Sequence, residues 1–258
     1  MKVSLITATY NCESIIRNCL VSAAHQSYEK IEHIIIDGGS TDKTLDILSQ
    51  YESQIALVLS EKDQGIYEAL NKGIMRASGD VIGILHSDDF FENKNVIADV
   101  VQIFKSNPQI PMVIGSVVYV DCNNADKIIR LYSSKKFRAW MLRFGFMPAH
   151  TATFIRKDVF QKIGLYNTRY VSAGDFEFFV RAFWLYKIPF FATNQVFVRM
   201  RIGGLSSSGV KSYWRSSIEI LSALHNYKVY SNFLFIFIRL PIKKINQIVF
   251  LICKAKNF

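Results

Sequence analysis

Val3-Ser4-Leu5-Ile6-Thr7-Ala8-Thr9-Tyr10-Asn11 is an apolar run, rich in β-branched residues, that ends abruptly in polar ones. The same shape returns at Ile31–Ile36 before Asp37-Gly38-Gly39-Ser40-Thr41-Asp42, at Ile55–Leu59 before Glu61-Lys62-Asp63-Gln64-Gly65, and at Val81–Leu85 before His86-Ser87-Asp88-Asp89. Short β-branched runs are what strands buried on both faces of a parallel sheet require. Between them the apolar spacing turns helical. Glu13–His25 places Ile15, Ile16, Cys19, Leu20 and Ala23 on one face, Asp42–Tyr51 carries Leu45, Ile47 and Leu48, and Ile66–Ala77 carries Leu70, Gly73 and Ile74. Strand and helix in alternation predict an α/β fold with right-handed crossovers, a mostly parallel central sheet flanked by helices. Ligands of such sheets bind beyond the carboxyl ends of the strands. The four polar clusters are therefore expected to converge on one edge.

Further along, Met112–Val120 and Thr151–Ile155 read as strands, and Lys157–Ile163 and Asp175–Tyr186 as helices. No internal repeat or low-complexity linker interrupts residues 1–210, which are expected to form one domain, with 211–258 as a C-terminal helical extension. Half of the 258 residues are hydrophobic and only 20% are charged, which excludes a disordered chain or a coiled coil. Cys12, Cys19, Cys122 and Cys253 form no CxxC pair and read as reduced thiols of a cytosolic protein. The first strand follows Met1-Lys2 at once, so no signal peptide is expected.

The net charge of +10 is uneven: residues 211–258 hold eight Lys and Arg and the single acid Glu219, leaving +7 there and +3 elsewhere. An excess spread along the chain would point to nucleic acid, and no such partner is expected here. An excess concentrated in a tail rich in Phe, Ile and Leu points to an anionic membrane surface. Neither Phe233–Ile238 nor Ile248–Cys253 is long enough to span a bilayer, and joining them would bury Arg239, Lys243 and Lys244 around Pro241. Two short interfacial helices on the inner face of the cell membrane are expected. The alternative is that these runs pack on residues 1–210 or on a second subunit.

Each polar cluster has a plain reading and a chemical one. Gly39 to Asp42 suit a turn and a helix cap, but Asp37 is a carboxylate at a strand end, able to accept an N–H from a nucleobase. Asp88 and Asp89 are adjacent acids that repel unless a cation or donor relieves them. Either can cap a helix; together they suit a hard divalent metal, Mg²⁺ or Mn²⁺, that holds a diphosphate. Asp175 opens a strongly apolar helix, as a cap or as a general base facing a cleft. The run Gly203–Gly209, flanked by Arg199, Arg201 and Lys211, is a connector or a lid whose cations meet phosphate.

The assembled pattern resembles the family 2 glycosyltransferases, inverting enzymes of the GT-A fold that use nucleotide sugars. The resemblance covers about residues 1–210. It rests on Ile6–Asn11, Ile36–Asp42, Asp63-Gln64-Gly65-Ile66-Tyr67-Glu68-Ala69-Leu70-Asn71-Lys72-Gly73, Gly79–Ile82, His86–Asp89, His150–Phe154 and Gly174–Phe178, in that order and spacing. The Asp63–Gly73 stretch is similar to a bacterial branch that builds capsule, exopolysaccharide or lipopolysaccharide O-chains. The resemblance implies that Thr7, Thr9, Tyr10, Asp37 and Asn71 line the nucleotide site, with Asp37 on a uracil N–H and so a uridine donor. Asp88 matches the second acid of the family's Asp-x-Asp metal motif, and His86 stands where the first acid is usual. Asp175 matches the catalytic base, and Gly174 stands where a Glu commonly precedes it. The acceptor implied is a saccharide on a polyprenyl diphosphate. Two other functions fit an α/β sheet with a metal carboxylate. A nucleotidyltransferase would be expected to carry a Gly-rich basic loop near the N-terminus, which Thr7–Asn11 lacks. A non-catalytic subunit that binds sugar nucleotides would need no base.

Overall fold

The computed structural model describes residues 1–122, 124–202, 209–239 and 241–242. Gly203–Ser208, the body of the expected lid, and the apolar run Ile248–Cys253 lie outside the described residues. The four apolar runs become β1 (Val3–Thr9), β2 (Ile31–Asp37), β3 (Leu57–Ser60) and β4 (Val81–Ile84), with α1 (Ile16–Ala24), α2 (Thr44–Ser49) and α3 (Ile66–Arg76) as the crossovers. They pair in parallel in the order β3-β2-β1-β4. Then come β5 (Phe90–Phe91), α4 (Val96–Ser106), β6 (Met112–Val120), β7 (Ile128–Tyr132), β8 (Thr153–Arg156), α5 (Lys157–Ile163), α6 (Gly174–Val180), β9 (Phe191–Arg201), α7 (Gly209–Asn226) and α8 (Phe233–Phe237). Beyond β4 the sheet is mixed. β8 and β6 join antiparallel, β9 runs parallel to β6, and β5 and β7 close antiparallel on β9 and β6.

β5, α4 and β7 had no counterpart in the sequence reading, and three further elements differ from it. The strand expected at Thr151 begins at Thr153, after a 3₁₀ turn over His150–Ala152. The helix expected to reach Tyr186 is α-helical only to Val180 and then widens into one π turn, in which the Tyr186 N–H donates to Arg181 O at 2.9 Å. β9 was read only as the flank of a cationic lid. Its first half is polar, and its strand identity comes from the partner β6, not from local propensity. That pairing also corrects the reading of its arginines as phosphate ligands. Arg199 makes a two-pronged ion pair with Glu92, at 2.8 and 2.9 Å, and Arg201 donates to Cys122 O at 3.0 Å.

Alternation across β1 builds two apolar layers. Val3 and Leu5 pack with Val100, Phe104, Phe154 and Phe197 on the α4 side, while Ile6 and Ala8 pack with Leu70, Ile74, Phe176 and Phe179 on the α3 and α6 side. α3 can lie this close because residue 73 has no side chain: a Cβ on Gly73 would sit 2.5 Å from Ile6 Cγ2. Ile220, Leu221, Ala223 and Leu224 of α7 enter the same layer as Phe176 and Phe179. In packing terms the described part of the 211–258 segment is thus continuous with residues 1–210. Ile236 of α8 is buried there as well, and Phe235 stacks on Phe144 with ring centroids 4.8 Å apart. The other side of α8 faces outward, with Leu234 79% exposed.

Candidate active site

The polar ends of the parallel strands meet as expected. Thr9, Asp37 and Ser60 stand in register across β1, β2 and β3. Asn11 adopts a left-handed conformation, φ 46°, and ties the first turn to the second. Its N–H donates to Ser40 Oγ and its side-chain oxygen accepts from Thr41 N, both at 2.8 Å. Asp63 closes the group from the third strand. A Cβ on Gly38 would lie 2.8 Å from Asp63 Oδ2 and 3.4 Å from the Tyr10 ring, so the Gly38 backbone, Tyr10 and Asp63 share one small space. Tyr10 is 58% exposed and presents its ring to solvent at this edge.

Four of the residues expected on a nucleotide are occupied within the fold. The Thr7 hydroxyl is buried against His33 Nε2 at 2.9 Å, and the Thr9 hydroxyl against the Cys12 thiol at 2.5 Å. Both hydroxyls lie on the α1 side of the sheet. Asn71 pairs with the backbone of Tyr166, donating to its O at 2.8 Å and accepting from its N at 2.9 Å, which fixes the loop before α6 onto α3. Asp37 is fully buried. Its Oδ2 accepts from Gly39 N at 3.1 Å, Ser40 N at 2.9 Å and Ser60 Oγ at 2.6 Å, and its Oδ1 from Ser40 Oγ at 2.5 Å. These bonds organise the turn. Asp63, by contrast, has an Oδ2 facing the Gly38 space and uses Oδ1 to accept from Gly65 N at 2.9 Å.

The acidic turn follows β4 at the same edge. His86 lies against His150, ring centroids 5.6 Å apart, and burial keeps its imidazole below its usual range while the Asp88 charge opposes that shift. Burial, then the Asp88 charge, push the Asp89 carboxyl well above the carboxylate range. Asp89 Oδ2 is buried without a hydrogen-bond partner. Among the described residues no three His, Cys, Asp or Glu side chains gather as a closed cation site. The donor set nevertheless fits a hard divalent ion, which takes one or two carboxylates and completes its shell from phosphate oxygens and water.

Asp175 stands in the first turn of α6. Its Oδ1 accepts from the Tyr67 hydroxyl at 3.1 Å and from Phe176 N at 2.8 Å. Burial raises its proton affinity to about 6, against the pull of those two donors, and the Glu219 charge adds to the rise. A carboxyl of that affinity is a working general base near neutral pH. Gly174 is explained by the same contact, since a Cβ there would lie 2.8 Å from the Tyr67 ring. Glu177, two residues on, is not a second base: it is fully buried, paired with Arg181 at 2.7 Å, and accepts from the Tyr227 hydroxyl at 2.5 Å. A chain of contacts joins the base to the acidic turn. Tyr67 packs on Tyr166 with ring centroids 5.8 Å apart, Tyr166 OH meets His150 Nε2 at 2.9 Å, and His150 meets His86. Sequence reasoning gave no role to Tyr67, Tyr166, Glu219 or Asp63. Tyr67 and Asp63 lay inside the quoted Asp63–Gly73 motif, whereas nothing local marked Glu219.

Fold and site together define a glycosyltransferase of the GT-A type. Solved structures agree on the fold. S. aureus TarS in complex with UDP-GlcNAc matches with TM-score 0.68 at 21% identity, over 88% of this chain and 67% of that one. The mannosyltransferase PcManGT from Pyrobaculum calidifontis, in complex with GDP-Man and Mn²⁺, matches with TM-score 0.61 at 16% identity, over 93% and 79%. By sequence, the chain is 30% identical over 187 residues, 70% of its length and 69% of the relative's, to a PGL/p-HBAD biosynthesis glycosyltransferase of Mycobacterium bovis. It is 27% identical over 212 residues, 81% and 82%, to an uncharacterized glycosyltransferase of Haemophilus influenzae. The family model Glycosyl transferase family 2 matches residues 4–164, and the chain belongs to that family.

Proposed function

We propose that this glycosyltransferase inverts configuration, taking a hexose from a UDP donor to a hydroxyl of a saccharide acceptor carried on a polyprenyl diphosphate, in cell-surface polysaccharide synthesis. The observation that carries the reading is Asp175. It sits at a helix start, mostly buried, with a proton affinity near 6, and connects by contacts to the acidic turn. The uracil lies between Tyr10 and Asp63, with its N3–H on Asp63 Oδ2, while Asp37 holds the turn beneath it. Asp88 would hold Mg²⁺ or Mn²⁺, with His86 beside it. The ion supplies charge neutralisation of the leaving diphosphate. Asp175 takes the acceptor hydroxyl proton, the oxygen forms its bond to the anomeric carbon, and the bond from that carbon to the diphosphate oxygen breaks on the opposite side. One displacement inverts the centre and needs no carboxylate nucleophile. The Tyr67 hydroxyl fixes the carboxylate rotamer through the step.

The exposed aromatic and aliphatic side chains around α8, beside a tail of net charge +7, support peripheral attachment to the inner face of the membrane. Among the described residues no helix is long and apolar enough to cross one. The test is diphosphonucleoside release by the purified chain from UDP-glucose, UDP-galactose, UDP-GlcNAc, GDP-mannose and dTDP-glucose, without acceptor, with and without chelator. UDP sugars should be hydrolysed, chelator should stop it, and Asp175→Asn should lower it by about 10²-fold or more. Preference for GDP-mannose would overturn the donor assignment, undiminished release in chelator the metal, and near-normal release by the variant the base.

A further inference from the structure

α7 reaches back to the loop that carries the base. Oε1 of Glu219 accepts from Val171 N at 3.2 Å, and Oε2 accepts from Ser172 N and Ala173 N, both at 2.9 Å, and from Ser172 Oγ at 3.3 Å. Three consecutive amides facing one way form a cradle for an anion, and here a carboxylate from another helix fills it. The cradle ends at Ala173, immediately before α6, and α6 has no side-chain cap of its own. Glu219 is itself held in place, because its neighbours Ile220 and Leu221 are buried in the layer that contains Phe176 and Phe179.

We propose that Glu219 is a positioning residue for Asp175, an inference that rests on reading Asp175 as the base. It fixes where α6 begins, and so sets the Asp175 carboxylate opposite Tyr67, and its charge holds that carboxyl's proton affinity up. The groups facing Asp175 are few. Tyr67 comes from α3, Tyr166 from the loop after α5, and Glu219 from α7. On its own helix the Glu177 charge is matched by Arg181. Tyr67 and Tyr166 are held in the neutral phenol form by burial, so Glu219 is the charge that distinguishes this surrounding.

Two variants separate the parts. Glu219→Gln keeps a carbonyl oxygen for the Ser172 and Ala173 amides and removes the charge; Glu219→Ala removes both. Carbon NMR of the Asp175 carboxyl should titrate near pH 6 in the wild type and at lower pH in Glu219→Gln. Glu219→Ala should release UDP from the best donor of the panel about tenfold or more slowly, with KM within about twofold, and should lose hydrogen-exchange protection at residues 171–173. An Asp175 titration unmoved in Glu219→Gln overturns the proposal, as does unchanged amide protection or wild-type kcat in Glu219→Ala. Normal release by Asp175→Asn removes the base reading itself, a result that the titration and exchange measurements do not depend on.

Discussion

An aspartate that titrates at about 6 in the fold and 3.8 in a free chain makes stability depend on pH. Below pH 3.8 both states hold the proton. As pH rises, the unfolded chain releases it first, so stability is lost between pH 3.8 and about 6 and is level above. Asp175→Asn takes the titration away. The variant should match the wild type at pH 4 and exceed it by about 1–3 kcal/mol at pH 8, while being inactive. Urea unfolding at the two pH values checks this, and an equal gain at both would contradict the assigned cause. Asp175 came to notice through the family resemblance, since an acid opening an apolar helix suits a cap as readily as a base. Thr7 and Thr9 share a face of β1 with Val3 and Leu5, and their hydroxyls meet the Cys19 and Cys12 thiols, contacts that a motif of residue types does not convey. The Asn71 amide serves the Tyr166 backbone, a partner that a motif of residue types does not convey.

At the scale of elements, β1 to β4 and the helices between them followed from apolar runs and helical spacing; β1, β2 and β4 are buried, whereas β3 at the sheet edge is mostly exposed. β9 was not legible, since β6 confers its strand form, nor was the π turn after α6. The seat of α3 depends on one missing side chain. Ile6 is β-branched, fully buried in β1 and stiff, so it cannot give way to a Cβ at 2.5 Å. Gly73→Ala should therefore destabilise the protein by about 1–3 kcal/mol despite the better helix propensity of alanine. Thermal unfolding would show it. A rise in stability would mean that α3 can lift from the sheet at no cost.

For the whole molecule, three elements present apolar rings or chains on one side. Trp140 packs edge-on to Phe144, Phe144 stacks on Phe235, and Trp214 contacts Phe233 and Phe237. Of these, Trp140 is 58% exposed, with Leu234 beside them. The paired substitution Trp140→Ser with Leu234→Ser should weaken binding to phosphatidylglycerol vesicles at low salt by about tenfold or more, since burying one such side chain contributes about 1.5–3 kcal/mol. Co-sedimentation measures it; equal binding by the pair, or none by the wild type, would rule out this face. Sequence showed the apolar run of α8 and the basic tail, but not Trp140 and Trp214, which join the face only through tertiary packing.

The bond between Glu219 and the Ala173 amide spans 46 residues of chain. On a ribosome that adds about 5–20 residues per second, the base loop emerges some 2–9 s before the acid that anchors it. Through that interval Phe176 and Phe179 lack the cover of Ile220, Leu221 and Leu224, although the four parallel strands are complete by Ile84. The nascent protein thus passes through a stage with the parallel half of its sheet complete and an uncovered aromatic helix. Uncovered apolar surface of this kind favours aggregation, and slow codons after residue 180 would lengthen the exposure.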